Sequence, residues 1–394
     1  MRSNGSCEDL RISPEYFSAF HEEITMTSAQ AKSARLDQPT ESTLDQNKSE
    51  AFAQKMIDVL NNAGLALMVS IGHRTGLFEV MSKIPPSSSA EIARSATLNE
   101  RYVREWLGAM VTGGIVEFDP VAQAYRLPQE HSAFLIPAAS PNNLAVTAQF
   151  ISVLGAVEDR VVDCFRHGGG VPYSAYARFH EVMVEESDQT TGEALLDTIL
   201  PLVPALEEKM RAGISVLDVG CGSGRAINLM AGAYPSSRFT GYDFSAEAIA
   251  KAKTEAAARQ LDNAYFEVKD VAKLGQRYTY DLITAFDAIH DQARPAEVLQ
   301  GIAKTLKPDG VFLMQDIAGS SFVQKNLAHP LGPFCYTISC MHCMTVSLAQ
   351  GGDGLGAMWG EEKARAMLRD AGFKHVQVTC LPHDILNIYY IVTG

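Results

Sequence analysis

Three carboxylates stand at the ends of apolar runs in the second half of the chain: Asp218 in VLDVGCGSGRA, Asp243 in FTGYDFS and Asp270 in FEVKDV. Just after the first, Gly220, Gly222 and Gly224 occupy alternate positions. Glycine costs backbone entropy, so three in five residues mark a turn where the main chain approaches something closely. Residues 214–217 read as a buried strand and residues 226–231 as the opening of a helix. A strand, a glycine turn and a helix N-terminus make a ligand-binding corner. The acids narrow the ligand. A carboxylate ending the second strand accepts hydrogen bonds from both hydroxyls of a ribose. One ending the third can accept from an adenine amino group, with Val271 against the ring, and Asp218 stands where a cationic amino group needs a counter-ion. That same acid argues against a dinucleotide, whose pyrophosphate it would repel.

Two further clusters could do chemistry. GPFCYTISCMHCMTVS brings Cys335, Cys340, His342 and Cys343 within nine positions. Zinc uses such ligands, but structural zinc sites usually come as paired knuckles, and here the fourth ligand would be squeezed. A Met- and Cys-rich apolar wall of a substrate cavity is the favoured reading, with His342, Cys340 and Cys343 as pocket residues. VPYSAYARFH supplies Tyr173, Tyr176 and His180. The last two are four apart, a spacing that puts them on one face of a helix.

These groups need a scaffold, and the chain supplies a patterned one. ISVLDV, RFTGYDF, AYFEVKD, YDLITAFDAI, GVFLMQDI, HVQVTCL and ILNIYYIV alternate with helical stretches, as in a mostly parallel sheet covered on both faces. The last two strands are joined only through Pro382-His383-Asp384, too short for a parallel crossover, so one of them runs antiparallel. The expected fold is α/β: a Rossmann-like, doubly wound sheet of seven strands with a reversed last strand. A long insert at about 318–360 reads as a lid.

Ahead of the sheet, residues 1–50 read as a polar, disordered or extended segment. Residues 51–135 read as an all-α/winged-helix domain. Ser89 and Asn99 are candidate caps for two short helices, Gly113-Gly114 ends the second, and IVEF and AYRL pair as a hairpin. Its second helix carries Glu100, Arg101, Arg104 and Glu105, whose charges cancel, so dimerisation or substrate shaping is favoured over DNA reading. Phe52, Met56, Val59 and Leu60 in the helix before it read as a face buried between two subunits of a homodimer. Residues 136–200 read as a helical linker and lid segment, and 201–394 as the ligand-binding domain.

The 394 residues carry a net charge of −13 and seven cysteines. The acidic balance argues against a nucleic-acid partner. No run is long enough to span a membrane, and no signal peptide opens the chain. An odd number of unframed cysteines fits reduced thiols, so a soluble cytoplasmic protein is expected.

VLDVGCGSG, GYDFS, KDV, KPDG before strand five, AGF before strand six and the reversed last strand together resemble class I S-adenosylmethionine-dependent methyltransferases. With the winged-helix front end, the chain is similar to two-domain small-molecule methyltransferases: plant natural-product O-methyltransferases and a related bacterial group. The resemblance implies S-adenosyl-L-methionine as cofactor, S-adenosyl-L-homocysteine as its product, and no metal. It implies a small-molecule acceptor with an O, S or N nucleophile, and cofactor contacts from Asp218, Gly220, Gly222, Gly224, Asp243, Phe244, Asp270, Val271, Phe286 and Tyr173. His290-Asp291 falls where the plant enzymes carry a catalytic His-Asp pair, which makes His290 the first candidate base. Asp287 and Asp291 are candidates to orient it, and His342 is the second candidate base. Gln292 departs from the tryptophan usual at the next position. Two alternatives remain open at this point: S-methylation of a thiol or an arsenic-like soft element, and a winged-helix regulator that senses S-adenosylmethionine.

Overall fold

The structure is a computed structural model that describes residues 44–141 and 143–394, so residues 1–43 of the expected N-terminal segment lie outside it. The chain forms two units, one up to Ala63 and one from Gly64 onward. Helix α1 (Gln46–Arg74) begins inside the segment expected to be extended. In the first unit its apolar residues Phe52, Met56, Ile57, Val59 and Leu60 are all exposed. The helix ends before Gly76, whose φ of 71° starts a new direction for α2 (Leu77–Lys83).

Capping chemistry sets the next elements. Ser88, one residue before the expected Ser89, caps α3 (Ser89–Ala96) in a reciprocal box with Glu91. Asn99 caps α4 (Glu100–Thr112) by accepting from the Arg101 amide at 3.0 Å, and Gly113 ends it. Strands β1 (Glu117–Asp119) and β2 (Ala124–Arg126) pair antiparallel as the wing. One apolar cluster, with Phe78, Trp106, Leu107 and Met110 at its centre, holds these pieces together. On α4, Arg101 pairs with Glu105 and Arg104 with Glu100, so its charges cancel on the helix itself.

The seven expected strands all form: β3 (Ser215–Val219), β4 (Arg238–Asp243), β5 (Ala264–Val268), β6 (Tyr280–Phe286), β7 (Leu306–Ile317), β8 (His375–Leu381) and β9 (Asp384–Thr393). Their order is β5-β4-β3-β6-β7-β9-β8. All neighbours run parallel except β9, which is antiparallel to both β7 and β8. Central strands lie buried on both faces, which is why VLDV and DLITAF read as nearly unbroken apolar runs. The chain moves outward from β3 to β4 and β5, then crosses back to β6. Such a switch point opens a crevice beyond the carboxyl ends of β3 and β6.

Two segments cover that crevice. Before β3 come the helix Phe179–Ser187 and π turns at Asp188–Gly192 and Leu195–Ile199. After β7, the insert forms the helix Gly332–Ile338, a π turn Ser339–Cys343 and the helix Met344–Ala349. Hydrogen bonds tie it down: Ser347 Oγ donates to the Gln292 carbonyl at 2.9 Å, and the Gly356 amide to the His290 carbonyl at 3.1 Å. The Val171 amide donates to Thr345 Oγ1 at 2.8 Å. In this structure the insert is packed onto the strand ends.

Candidate functional site

The glycine turn forms as its sequence demands. Gly220, Gly222 and Gly224 all have left-handed φ, at 72°, 52° and 76°. A Cβ on Gly220 would sit 2.6 Å from that of Ala288, whereas no atom lies within 4 Å of the Cβ position on Gly222. The first glycine therefore serves packing, and the second leaves open space above the turn. Asp243 locks the turn to β4, accepting from the Gly222 amide at 2.9 Å and the Ser245 amide at 2.8 Å. Each of its oxygens keeps a second lone pair for a ligand. Asp218 is 3% exposed and accepts from Thr284 Oγ1 at 2.7 Å. Burial pushes its carboxyl up to about 7, against the Thr284 hydrogen bond, and the Asp243 charge adds to the rise.

Around this turn lies a cavity of about 200 Å³, lined among others by Tyr173, His180, Asp218, Asp243, Phe244 and Phe286. It shares Gly220, Asp243, Phe244 and Gln292 with a second hollow, where Asp270 and Val271 sit. Nine of the ten residues expected at a cofactor site thus line one or other of these hollows, whereas Gly224 lines neither and serves as N-cap of the helix Arg225–Ala233. Asp270 accepts from the Ala272 amide, and Lys273, its first cause, holds its carboxyl below the usual range.

A third cavity, about 90 Å³, opens on the other side of Asp287 and Asp291, which line both it and the trench. Phe179, Met183 and Ser187 are shared as well. His290, 4% exposed, lines this inner cavity and forms a 2.8 Å bond from Nδ1 to Asp316 Oδ1. The carboxylate only accepts, so the Nδ1 proton faces Asp316, and the Cys343 side chain is a second hydrogen-bond partner of the ring. Burial opposes charge on this ring, but Asp316 and then Cys343 overcome it and hold its pKa well above the ordinary value. Asp287 takes a left-handed φ of 50°, a strain of about 1–2 kcal/mol for a residue with a side chain. Its Oδ2 accepts from Gln315 at 3.2 Å, while its Oδ1 is buried without a partner. Burial holds the Asp287 carboxyl well above its usual range and lifts Asp291 to about 6.

Several expected placements change. Tyr176 and His180 do not share a helix face: Tyr173–Ala175 is a 3₁₀ turn, and the helix begins only at Phe179 after Arg178 in a left-handed conformation. Tyr173 is the partner of His180 instead, with rings 4.5 Å apart and Tyr173 Oη 3.3 Å from His180 Nδ1. Tyr176 donates to the Met341 carbonyl and is buried against the insert. In the cysteine cluster, Cys343 lines the inner cavity together with Cys335, but Cys340 does not. His342 stacks flat on Phe179 at 3.5 Å. Burial, helped by the charges of His290 and His180, lowers its pKa to about 3, so its ring is neutral where it lines the inner cavity. Both of its ring nitrogens are buried without a partner.

Asp316 and Trp359 were not singled out by sequence. Asp316 is wholly buried and accepts from His290, from Trp359 Nε1 at 2.9 Å and from the Ile317 amide at 2.8 Å. Its signal was present: MQDI ends the fifth strand in an acid, as the first three strands also end.

Residues 63–136 match the model of a family described as an Rv2258c-like winged HTH domain, and residues 210–376 that of a methyltransferase domain. A malonyl-[acyl-carrier protein] O-methyltransferase of Bacillus cereus is 24% identical over 156 residues, covering 40% of this chain and 52% of the relative. The chain spans about half or less of the length of the curated relatives it matches first. Among solved structures, an O-methyltransferase-like protein of Nostoc punctiforme superposes with a TM-score of 0.66 at 18% identity, over 86% of this chain and 98% of that one. Human N-acetylserotonin methyltransferase, solved in complex with SAM, gives 0.64 at 18% identity, over 90% of this chain and 100% of its own. At such identities the likeness is one of fold.

The Asp316 contact has a direct test. Asp316→Asn should lower the His290 pKa, because it removes the charge that stabilises the imidazolium. With the native pKa raised, the pair stabilises the fold below the ordinary His value, and that contribution is lost as pH rises through the raised pKa. Nuclear magnetic resonance titration of the His290 ring should show a midpoint above 6.5 in the wild type and a lower one in the variant. Identical midpoints would refute the electrostatic role.

Proposed function

We propose that this chain, in which a winged HTH domain precedes a methyltransferase domain, moves a methyl group from S-adenosylmethionine to a small-molecule hydroxyl. The observation that carries this reading is the junction of two cavities. One is an acid-lined trench over a glycine turn, and the other an apolar pocket holding a buried His-Asp pair. Asp287 and Asp291 line both.

The trench residues fit the cofactor. Asp243 keeps acceptor capacity toward ribose hydroxyls, Asp270 and Val271 line the hollow suited to adenine, and the space above Gly222 is open. Asp218, buried and without a cationic partner in the structure, gains from an amino group. S-adenosylmethionine, when bound, supplies an electrophilic methyl carbon on a sulfonium. His290 then holds the acceptor hydroxyl and takes its proton at Nε2, with Asp316 fixing the tautomer and stabilising the imidazolium. The inner cavity, closed by the packed insert, keeps water from that proton.

The site also bears on the other readings. A regulator needs a basic reading helix, and the charges of α4 are paired off. Exposed Phe52, Met56, Val59 and Leu60 on α1 support a homodimer in which a second copy covers them. All six described cysteines are free thiols, which fits the reducing cytoplasm.

Asp243→Ala should weaken S-adenosylmethionine binding by about 2 kcal/mol, through loss of charge-assisted contacts. Calorimetry returning wild-type affinity would sink the cofactor assignment. His290→Ala should slow turnover of a hydroxyl acceptor by about 100-fold while cofactor affinity stays near wild type. Because the His290 pKa is raised, the wild-type rate should climb as pH rises above 7, where the neutral ring becomes available. A flat profile, or equal rates for the two proteins, would remove His290 as the base. Sedimentation should give a dimer for the full chain; a monomer at micromolar concentration would contradict the proposed role of α1.

A further inference from the structure

The inner cavity has an apolar body and one polar end of a particular kind. Phe150, Phe179, Met183, Phe334 and Ile338 supply the apolar walls. At about 90 Å³ the space suits one small ring rather than a polycyclic molecule. Its polar lining includes Glu186 on the helix Phe179–Ser187, Asp287 after β6 and Asn387 on β9, beside Ser187, Thr190, His290, Asp291 and His342. Among the described residues, no lysine or arginine lines the cavity.

What Glu186, Asp287 and Asn387 offer is hydrogen-bond acceptors. Asp287 Oδ1 and Asn387 Oδ1 are buried with no partner, and Asn387 is only 3% exposed. The Asn387 amide is fixed in that sense, because its Nδ2 donates to both oxygens of Asp384, at 3.3 and 3.1 Å. Asp384 is itself held by Tyr389 Oη at 2.7 Å, so the amide cannot turn its nitrogen to the cavity without losing those bonds. Glu186 is half-buried and forms no ion pair among the described residues; its Oε2 accepts from Thr147 at 3.1 Å and Gln189 at 3.2 Å. Burial, opposed by those two bonds and reinforced by Asp384 and Glu185, raises its carboxyl to about 7. Asp384 also pushes up Asp287, after burial, Asp316 and His290 have acted. Buried acceptors left unpaired are costly, and a negative charge is costlier still.

We propose that this end of the cavity binds an ammonium group, so that the acceptor molecule is a small phenolic amine. Its hydroxyl meets His290 beside Asp287, whose carboxylate converges on that ring, and its cationic nitrogen meets Glu186 and Asn387. An alkylammonium is the matching counterpart: it brings three donors, no acceptor and one positive charge. The aromatic walls favour an organic cation with an apolar body over a hydrated metal ion, whose waters they could not satisfy. Asp287, His290 and Asp316 do converge closely enough to hold a metal, but His290 Nδ1 is already committed to Asp316. The inference rests on the reading above of the trench as a cofactor site and of His290 as the base.

Three probes of one shape separate the possibilities: tyramine, 4-ethylphenol and 4-hydroxyphenylacetate, which carry a cation, no charge and an anion on the same ring. Each is titrated calorimetrically at pH 8 into the full chain saturated with S-adenosylhomocysteine. Tyramine should bind at least about tenfold tighter than 4-ethylphenol, the scale of one charge-assisted contact, and 4-hydroxyphenylacetate weakest of all. Glu186→Gln, which keeps the shape and removes the charge, should reduce the tyramine preference at least about fivefold. Equal affinity for tyramine and 4-ethylphenol, a preference that survives Glu186→Gln, or tyramine binding that needs added Mn²⁺ would each overturn the proposal. The S-adenosylhomocysteine titration run first distinguishes the two levels. Its failure would overturn the methyltransferase reading itself, whereas its success with no amine preference would overturn only this inference.

Discussion

The carboxylate of Asp316 is the joint on which the inner cavity depends. It lies at the end of β7 with no solvent exposure, and three donors from different parts of the chain meet on Oδ1: His290, Trp359 and its neighbour's amide. His290 belongs to the loop after β6, and Trp359 to the end of the long insert. One buried charge thus fixes the tautomer of the ring, the position of the loop and the closure of the insert. Removing one partner of such a pair costs about 3–5 kcal/mol because the other charge stays buried. The arrangement tolerates little variation at this point, and that rigidity is what a reacting group needs.

Around this joint the molecule gathers carboxyls whose ionisation burial opposes. Asp218, Asp287, Asp291 and Glu186 all have carboxyls raised by burial. An acid whose folded pKa is raised stabilises the fold below its unfolded value, and that stability is lost as pH rises through the folded pKa. Near neutral pH the unliganded site therefore stores unfavourable energy. A sulfonium and an amino group in the trench, and a cation in the inner cavity, would return it. Charge that destabilises the empty protein becomes affinity for cationic ligands.

The front domain shows the limits of pattern as a guide to use. Helix, turn, helix and wing form as their caps and glycines dictate. The fold by itself is that of many DNA readers, yet the charges on α4 pair within the helix and leave no basic face. The exposed apolar residues of α1 give the same region a different surface to offer.

Periodicity and spacing alone determined the seven strands, an antiparallel member among the last two, the caps of the winged helix within a residue, and the glycine corner with its three acids. All of these are local: a turn needs glycine, a cap needs an oxygen, and a strand buried on both faces needs an unbroken apolar run. His290 was singled out by the resemblance of His290-Asp291 to the His-Asp pair of the plant enzymes, but the partner it bonds is Asp316, 26 positions away. Tyr176 and His180 had the right spacing for a shared face, and a left-handed Arg178 between them undid it. His342 was singled out by its cysteine-rich neighbourhood, and only the fold shows it stacked on Phe179 and held neutral by burial. Glu186, Asp287 and Asn387 come from three separate elements, and only the tertiary structure brings them to one cavity. Sequence carries each residue's chemistry and its local conformation. Only the tertiary structure decides which charges are desolvated together, because burial and pairing depend on neighbours that no local spacing encodes.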